Sequence, residues 1–164
     1  MDAATAMCGL ADLGRFPRLL ALVDQARKLP RIRAAIVHPC AQPSLAGALE
    51  ACALGMIEPV LVGPRRKIAA AAAAAGLSLA GLAIEDAPHS HAAAERAVDL
   101  VRAGAVDAIM KGALHTDEVM GAVVRDVGGL KTERRVSHIF VIDAPLYSKP
   151  VSYTHLTLPT KRIV

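Results

Sequence analysis

The sequence predicts an α/β domain, a three-layer open sheet of mainly parallel strands with helices on both faces. Four short apolar runs (AAIVH, PVLVG, LAIED and AVDAIM) begin at positions 34, 59, 82 and 105, and segments with helical spacing separate them. Alternation of strand and helix at this spacing is typical of βαβ units and a parallel sheet. The runs are apolar throughout rather than alternating, which indicates strands covered on both faces. A fifth run, VSHIFVID at 136–143, predicts a fifth strand.

The helices of this domain are predicted from their spacing and their end signals. An amphipathic segment at 16–28 predicts a helix that precedes the sheet. Ser44 and Ser90 are expected to cap helices at their N-termini, and Pro64 to stand at a first helical position. The alanine run at 69–75 predicts a thin helix packed close against the sheet. Three helices are expected to end at a glycine, namely Gly55, Gly76 and Gly104.

The composition excludes several classes of protein. With 164 residues, 54% hydrophobic and 21% charged, the chain suits one folded domain rather than a multidomain assembly or a disordered chain. Its three cysteines, Cys8, Cys40 and Cys52, are scattered, so neither a disulfide framework nor a zinc site is expected. The net charge is only +4, and the basic clusters at 65–67 and 131–135 lack interleaved aromatic residues. No nucleic-acid partner is therefore expected.

The sequence also predicts no secretion signal and no membrane partner. The chain begins MDAATA, with an acidic residue where a signal peptide carries positive charge. The uncharged stretch at 68–84 is mostly alanine and glycine and is slightly too short to span a bilayer. We therefore expect a soluble, cytoplasmic protein.

The segment richest in chemistry is DAIMKGALHTDE at 107–118, which combines a strand end, a glycine turn and a helix start. In an open parallel sheet, ligands bind beyond the carboxyl ends of the strands, and the start of a helix favours an anion. Lys111 adds a positive charge, and Gly112 permits close approach of the backbone. His115 is suited to exchanging a proton with a reacting oxygen near neutral pH. The segment therefore predicts an anion site.

A purely structural interpretation of the same segment stays open. Asp117 and Glu118 fall in the first helical turn, where carboxylates satisfy the free N–H groups and repel an anion. On this interpretation Thr116, Asp117 and Glu118 form a capped helix start, and Lys111 is solvated.

Other histidines have alternative interpretations too. His89 and His91 invite a metal site, but they are two positions apart and follow a proline, which favours a role in capping a helix. His38 follows the first strand, and it either lines a ligand site or is an ordinary histidine at a strand end.

The run DAIMKGALHTDEVMGAVV, followed by RRVSHIFVIDAP, resembles the phosphate acetyltransferase and phosphate butyryltransferase family. The upstream run VHPCAQPSLAGALEACALGMIEPVLVGP resembles the same family, so the resemblance covers about residues 15–150. Its specific motifs are K-G-x-L-H-T-D-E and then S-H-x-F-V. We expect the chain to be closer to the butyryl branch, and to the acyltransferase part of some hydratase fusions, than to dedicated acetyl enzymes.

The resemblance implies the reversible reaction of acyl-CoA with phosphate to give acyl phosphate and CoA. Coenzyme A is then a substrate, and no metal or permanently bound cofactor is implied. The family has an architecture similar to the isocitrate and isopropylmalate dehydrogenase fold, of which this chain is the first domain, and it suggests homodimers. The substrate-binding residues carried over from the family's motifs are Lys111, Gly112, His115, Thr116, Ser137 and His138.

The chain also departs from the family. Family members have about twice this length and two domains with a cleft between them. Their catalytic serine, arginine and aspartate lie near the C-terminus and have no counterpart here. We therefore expect residues 1–150 to be an incomplete N-terminal domain that is inactive alone. The last residues, 151–164 (VSYTHLTLPTKRIV), contain no alanine or glycine and resemble translated adaptor or vector sequence, although a genuine strand and tail is the alternative.

Two other functions compete with this one. The fold class suits the dinucleotide-binding domain of a dehydrogenase, but the first strand is followed by VHPCAQPS rather than by G-x-G-x-x-G. The chain would alternatively be a non-catalytic binding module or pseudoenzyme. Retention on a nicotinamide resin would favour the first, and a stable, inactive protein with a specific partner would favour the second.

Overall fold

The structure, a computed structural model, describes residues 16–134, 136–137, 139–143 and 151–153. The helices are α1 (Pro17–Ala26), α2 (Gln42–Ala53), α3 (Arg65–Ala74), α4 (Ser90–Arg102) and α5 (Thr116–Val123). The strands are β1 (Ile32–Val37), β2 (Ile57–Gly63), β3 (Ala83–Asp86), β4 (Ala108–Lys111), β5 (Phe140–Ile142) and β6 (Val151–Tyr153).

Four of the strands form one parallel sheet in the order β3-β2-β1-β4. The register pairs Val37 at the end of β1 with Val62 in β2 and with Lys111 in β4. The chain thus proceeds from β1 outward to β3 and then returns through α4 to place β4 on the other side of β1. This reversal makes the gap between β1 and β4 the switch point of the sheet, where open α/β sheets bind their ligands.

Side chains of β1 alternate between two apolar layers. Ala35 and Val37 pack with buried residues of α4 and α5, whereas Ala34 and Ile36 pack with buried residues of α2 and α3. The predicted three-layer α/β arrangement with a parallel sheet is therefore confirmed. Small residues let the helices approach the sheet closely, including Ala72 of the alanine run.

Helix ends agree with the sequence at the C-termini and differ from it at three N-termini. Gly55, Gly76 and Gly104 follow three helices with positive φ, as predicted. Ser44 is not a cap, because α2 already begins at Gln42 and the Ser44 Oγ donates to the Ala41 carbonyl at 2.8 Å. A proline in the first helical turn needs no N–H partner, so the helix extends back past Pro43.

The second difference concerns α3, which begins at Arg65, so Pro64 is its N-cap and not its first helical residue. The ψ of Pro64 is 106°, an extended value that keeps this residue outside the helix.

The third difference concerns α4, whose N-cap is His89 rather than Ser90. The Nδ1 atom of His89 accepts a hydrogen bond from the Ala92 N–H at 3.2 Å, which confirms the capping interpretation of this histidine. The Ser90 hydroxyl is used elsewhere, because it donates to the Glu118 carboxylate at 2.6 Å.

Asp143, which directly follows β5, is hydrogen-bonded to the start of helix α1. The Asp143 carboxylate accepts hydrogen bonds from the backbone N–H groups of Arg18 and Leu19, at 2.9 and 3.3 Å, and from the Arg18 guanidinium at 2.7 Å. Burial by itself would raise the pKa of Asp143, but the hydrogen bonds from Arg18 and Leu19 outweigh it and the pKa is lowered. This carboxylate therefore satisfies N–H groups in the first turn of a helix whose N-cap, Phe16, has no polar side chain.

The fifth strand is shorter than predicted. Among the described residues of the run at 136–143, Phe140–Ile142 form a strand, which pairs antiparallel with β6 in a separate two-stranded sheet. Val136 and Ser137 are exposed and lie outside it. The prediction was wrong in extent because strand length is set by the partner, here a three-residue segment, and not by the apolar run alone.

Candidate functional site

The carboxyl ends of β1 and β4 are held together beyond the sheet itself. The Gly112 N–H donates to the Val37 carbonyl at 2.9 Å, and the Ala113 N–H donates to the His38 carbonyl at 3.0 Å. The segments that follow β1 and β4 therefore stay paired beyond the end of the sheet. The turn after β4 forms one wall of the switch-point crevice.

Gly112 is required here by contact and not by its backbone angle. A Cβ atom at this position would collide with the Val37 carbonyl oxygen and would lie 2.9 Å from the carbonyl oxygen of His38. The absence of a side chain thus allows the backbone of the turn to lie against the end of β1.

His38 follows β1 beside this turn and has an unusual backbone conformation. Its φ is 52°, a left-handed value that is uncommon for a residue other than glycine. Its ring Nδ1 lies 2.9 Å from the Ala113 carbonyl oxygen, and its backbone N–H donates to the Val62 carbonyl at 2.7 Å. The side chain is therefore fixed against the turn that follows β4.

Lys111, the last residue of β4, is exposed and folds over the same turn. Its Nζ donates to the Leu114 carbonyl at 2.9 Å and lies 3.5 Å from the Gly112 carbonyl. Only carbonyl dipoles hold this ammonium group, and no carboxylate forms an ion pair with it among the described residues. Its positive charge thus remains available to an anion in the crevice.

A carboxylate network stands behind the turn. The Glu118 carboxylate accepts hydrogen bonds from the His115 N–H at 2.8 Å and from the Ser90 hydroxyl at 2.6 Å, and His91 Nδ1 lies 3.0 Å from the same carboxylate. The hydrogen bond from Ser90, and next that from the His115 backbone, hold the pKa of Glu118 below its usual range. The start of α5 is therefore capped by the side chain of Glu118, whose negative charge disfavours an anion there. Lys111, rather than the helix start, is the group that attracts an anion.

The turn after β4 and the end of β1 border an open cleft of about 530 Å³. It is lined by His38, Ser90, Lys111, Gly112, Ala113, Leu114, His115 and Glu118. The structure thus brings together three of the six substrate-binding residues expected from the sequence, Lys111, Gly112 and His115. It also adds His38, whose role the sequence left open, and Ser90, which the sequence assigned to a cap.

Of the other three expected residues, the two that the structure describes do not line this cleft. Thr116 lines a neighbouring apolar groove that also contains Val119 and Met120. Ser137 is exposed and lines none of the clefts around the turn. His138 lies outside the described residues.

Other candidate chemistry is distributed elsewhere. No group of three or more His, Cys, Asp or Glu side chains is arranged to hold a metal ion within the described residues. Burial raises the pKa of the Cys40 thiol, with Lys67 opposing the effect, so this cysteine is not an activated thiolate. Cys8 lies outside the described part. In that part, too, every helix is too short or too polar to cross a membrane.

Asp107, at the start of the segment singled out from the sequence, lies at the opposite end of β4 from Lys111. Its carboxylate accepts hydrogen bonds from the Arg33 guanidinium at 2.9 and 3.1 Å and from the Arg33 N–H at 2.9 Å. The side-chain hydrogen bond from Arg33 is the main cause that lowers the pKa of Asp107. The pair therefore ties β1 to β4 and takes no part in the cleft.

We expect Asp107→Asn to reduce the free energy of unfolding at neutral pH. Because the folded pKa of Asp107 lies below the unfolded value of about 3.9, the pair stabilises the fold above that value. This stabilisation is lost as the pH falls through the folded pKa. Urea denaturation of both proteins over a pH series should give midpoints that converge in acid. A difference that is constant with pH would contradict the assignment, and Asp24→Asn, which alters a looser pair with Arg27 at 3.9 Å, is the control with little effect.

Comparison with known proteins places this site in context. The chain is 51% identical over 110 residues to the phosphate acetyltransferase of Rhizobium meliloti, covering 67% of this chain and 35% of the relative. It is 45% identical over 133 residues to the phosphate acetyltransferase of Rickettsia typhi, covering 81% of this chain and 38% of the relative. A phosphate butyryltransferase of Clostridium acetobutylicum is 25% identical over 136 residues, covering 83% of this chain and 44% of the relative. No protein-family model matches the chain.

These identities correct one expectation. The chain is more similar to the phosphate acetyltransferases than to the butyryl enzymes, so the expected closeness to the butyryl branch was wrong. The chain spans little more than a third of the length of these acetyltransferases. Over the residues that match, the chain belongs to the phosphate acetyltransferase and phosphate butyryltransferase family.

Proposed function

We propose that this chain forms the phosphate-facing wall of a phosphate acyltransferase site, at which acyl-CoA and phosphate react to give acyl phosphate and CoA. The observation that carries the proposal is the meeting of Lys111, Gly112 and His115 in one crevice at the switch point of the sheet. All three belong to the K-G-x-L-H-T-D-E motif on which the family resemblance rests. An acetyl group is the favoured acyl group, since the acetyltransferases are the more similar relatives.

The chemistry requires an anion site, and Lys111 supplies its charge. A phosphate oxygen attacks the thioester carbonyl carbon, and the thiolate of CoA departs. Lys111 would hold the phosphate through a charge-assisted hydrogen bond and would offset its charge during the attack. No protein nucleophile is needed, which fits a Cys40 thiol whose pKa is raised by burial.

We further propose that residues 1–150 form the N-terminal domain of a two-domain protein with the isocitrate dehydrogenase-like architecture. The crevice is open on one side, which suits a site completed by a second domain. The family's serine, arginine and aspartate would face Lys111 from that domain, and a homodimer is the assembly that the resemblance suggests. The dinucleotide alternative is less suitable, because His38, Pro39 and Cys40 occupy the turn where a glycine-rich loop would be needed.

A chimera tests the function without relying on this chain alone. The matching 110 residues of this chain would replace those of the Rhizobium meliloti phosphate acetyltransferase, and acetyl phosphate formation would be measured from acetyl-CoA and phosphate. We expect the chimera to be active, and Lys111→Met to reduce kcat/KM by about 10- to 100-fold, the loss expected for one hydrogen bond to a charged group.

Lys28→Met is the matched control, because Lys28 is exposed and forms no ion pair among the described residues. It should leave kcat/KM unchanged. A chimera that folds but forms no acetyl phosphate, or one in which Lys111→Met is fully active, would contradict the proposed function.

A further inference from the structure

The imidazole of His38 has one ring nitrogen committed to the protein. Nδ1 lies 2.9 Å from the Ala113 carbonyl oxygen. A carbonyl oxygen only accepts hydrogen bonds, so Nδ1 must carry the proton. In the neutral ring, Nε2 is then an acceptor. No hydrogen bond to Nε2 is formed by any part of the chain that the structure describes.

The ring is held in this state by a strained backbone and close contacts. A left-handed φ of 52° is costly for histidine and persists only where its surroundings enforce it. Here the N–H and the carbonyl of His38 are both hydrogen-bonded, to Val62 and to Ala113. Gly63 has no side chain, and a Cβ atom there would lie 3.2 Å from the Cα of His38. The position is thus fixed by both neighbouring strand ends.

The carboxylate in the cleft is already occupied. Both oxygens of Glu118 accept hydrogen bonds from the protein, one from the His115 N–H and the other from the Ser90 hydroxyl. Lys111 offers only donors. The imidazole of His115 also lines the cleft, but His38 is the histidine whose Nδ1 is held by a carbonyl oxygen. His38 Nε2 is therefore an acceptor of fixed direction in a cleft whose charge attracts anions.

We propose that His38 Nε2 accepts a hydrogen bond from the protonated oxygen of the substrate phosphate and takes that proton when the phosphate attacks. This inference rests on the proposed function and assigns His38 as a catalytic and specificity-determining residue within it. The proposed function itself needs only the positive charge of Lys111. An acceptor at Nε2 would in addition favour an oxyanion that carries a proton over one that carries none.

The step balances without a further reactant. A phosphate oxygen forms a bond to the thioester carbonyl carbon as the P–OH proton moves to Nε2. The C–S bond breaks, and the electron pair leaves on sulfur. The proton on Nε2 then passes to the thiolate, so that acyl phosphate and the free thiol of CoA are formed and neutral His38 is regenerated.

Comparison of phosphate with sulfate isolates the acceptor. At neutral pH phosphate carries at least one P–OH group, whereas sulfate carries no proton and can only accept hydrogen bonds. The chain labelled with ¹⁵N-histidine would be titrated with inorganic phosphate and with sulfate. We expect the free protein to show His38 with the proton on Nδ1, and phosphate to shift its Nε2 signal. Phosphate should bind about tenfold more tightly than sulfate, as one hydrogen bond to a charged group would give.

The variant His38→Asn separates this role from a structural one. Asparagine tolerates a left-handed backbone, and its amide replaces the Nδ1 donor to Ala113 but offers nothing at the position of Nε2. It should fold and bind phosphate no better than sulfate. His89→Asn, at a helix N-cap where asparagine is favoured, is the matched control and should keep the preference for phosphate.

Two results would overturn the inference while leaving the proposed function in place. One is binding of both anions that depends on Lys111 but shows no preference for phosphate. The other is a preference for phosphate that survives in His38→Asn. A third result would overturn both. If the protein binds no oxyanion, or if its oxyanion binding is unchanged in Lys111→Met, the proposed function is wrong and this inference fails with it.

Discussion

Replacing Gly112 with alanine is expected to lower the free energy of unfolding by about 2–3 kcal/mol, a typical cost of overpacking a closely packed site. The added Cβ would collide with the carbonyl oxygen of Val37, a backbone atom that cannot move aside as a flexible side chain would. The hydrogen bonds from Gly112 to Val37 and from Ala113 to His38 would lengthen or break. Because these bonds hold β4 against β1 at the crevice, oxyanion binding should also be lost. Urea denaturation and a phosphate titration measure the two effects.

Gly121→Ala is the matched control, because it adds the same methyl group to the neighbouring helix. A Cβ atom at Gly121 meets nothing within 4 Å. The residue is exposed within α5, where alanine is favoured over glycine, so this variant should gain about 0.5–1 kcal/mol. If both alanine variants changed stability equally, the contact at Gly112 would not be the reason that glycine is needed there.

The fold was predictable from the sequence wherever one local signal determined it. Short runs rich in apolar residues predicted all four strands of the parallel sheet, and glycines after helical segments predicted three helix ends. The N-cap at Ser44 was mispredicted because two neighbouring signals competed, a serine that caps and a proline that tolerates the first turn. The extent of β5 was not predictable, because it depends on a partner, Val151–Tyr153, whose pairing no local pattern reveals.

The site was predictable to the level of the turn and not of the individual side chain. A strand end followed by a glycine and a helix start predicted the location of Lys111 and Gly112. Thr116 follows His115 directly and yet lines a different groove, because adjacent residues at a helix start point in different directions. His38 lies more than 70 positions away in the chain, and only the pairing of β1 with β4 brings it to the same cleft.

Truncation of Ile36 to alanine is expected to cost about 3–4 kcal/mol, within the range measured for buried aliphatic side chains. Ile36 is 0% exposed near the carboxyl end of β1, and its neighbours across the sheet are Leu61 and Met110. It packs with Leu45 of α2 and Ile68 of α3, both fully buried, so little in its surroundings can collapse into the space left behind. The free energy of unfolding from urea denaturation measures this loss.

Ile32→Ala deletes the same atoms from the same strand and isolates the effect of burial. Ile32 is 46% exposed at the other end of β1, so its truncation should cost about 1 kcal/mol or less. Equal losses at the two positions would contradict the described core. Because β1 carries His38 at its end, the folded fraction of Ile36→Ala should still bind phosphate in preference to sulfate, whereas Gly112→Ala should not. Urea denaturation thus reports the loss of stability in the core, and the comparison of phosphate with sulfate reports the altered structure of the crevice.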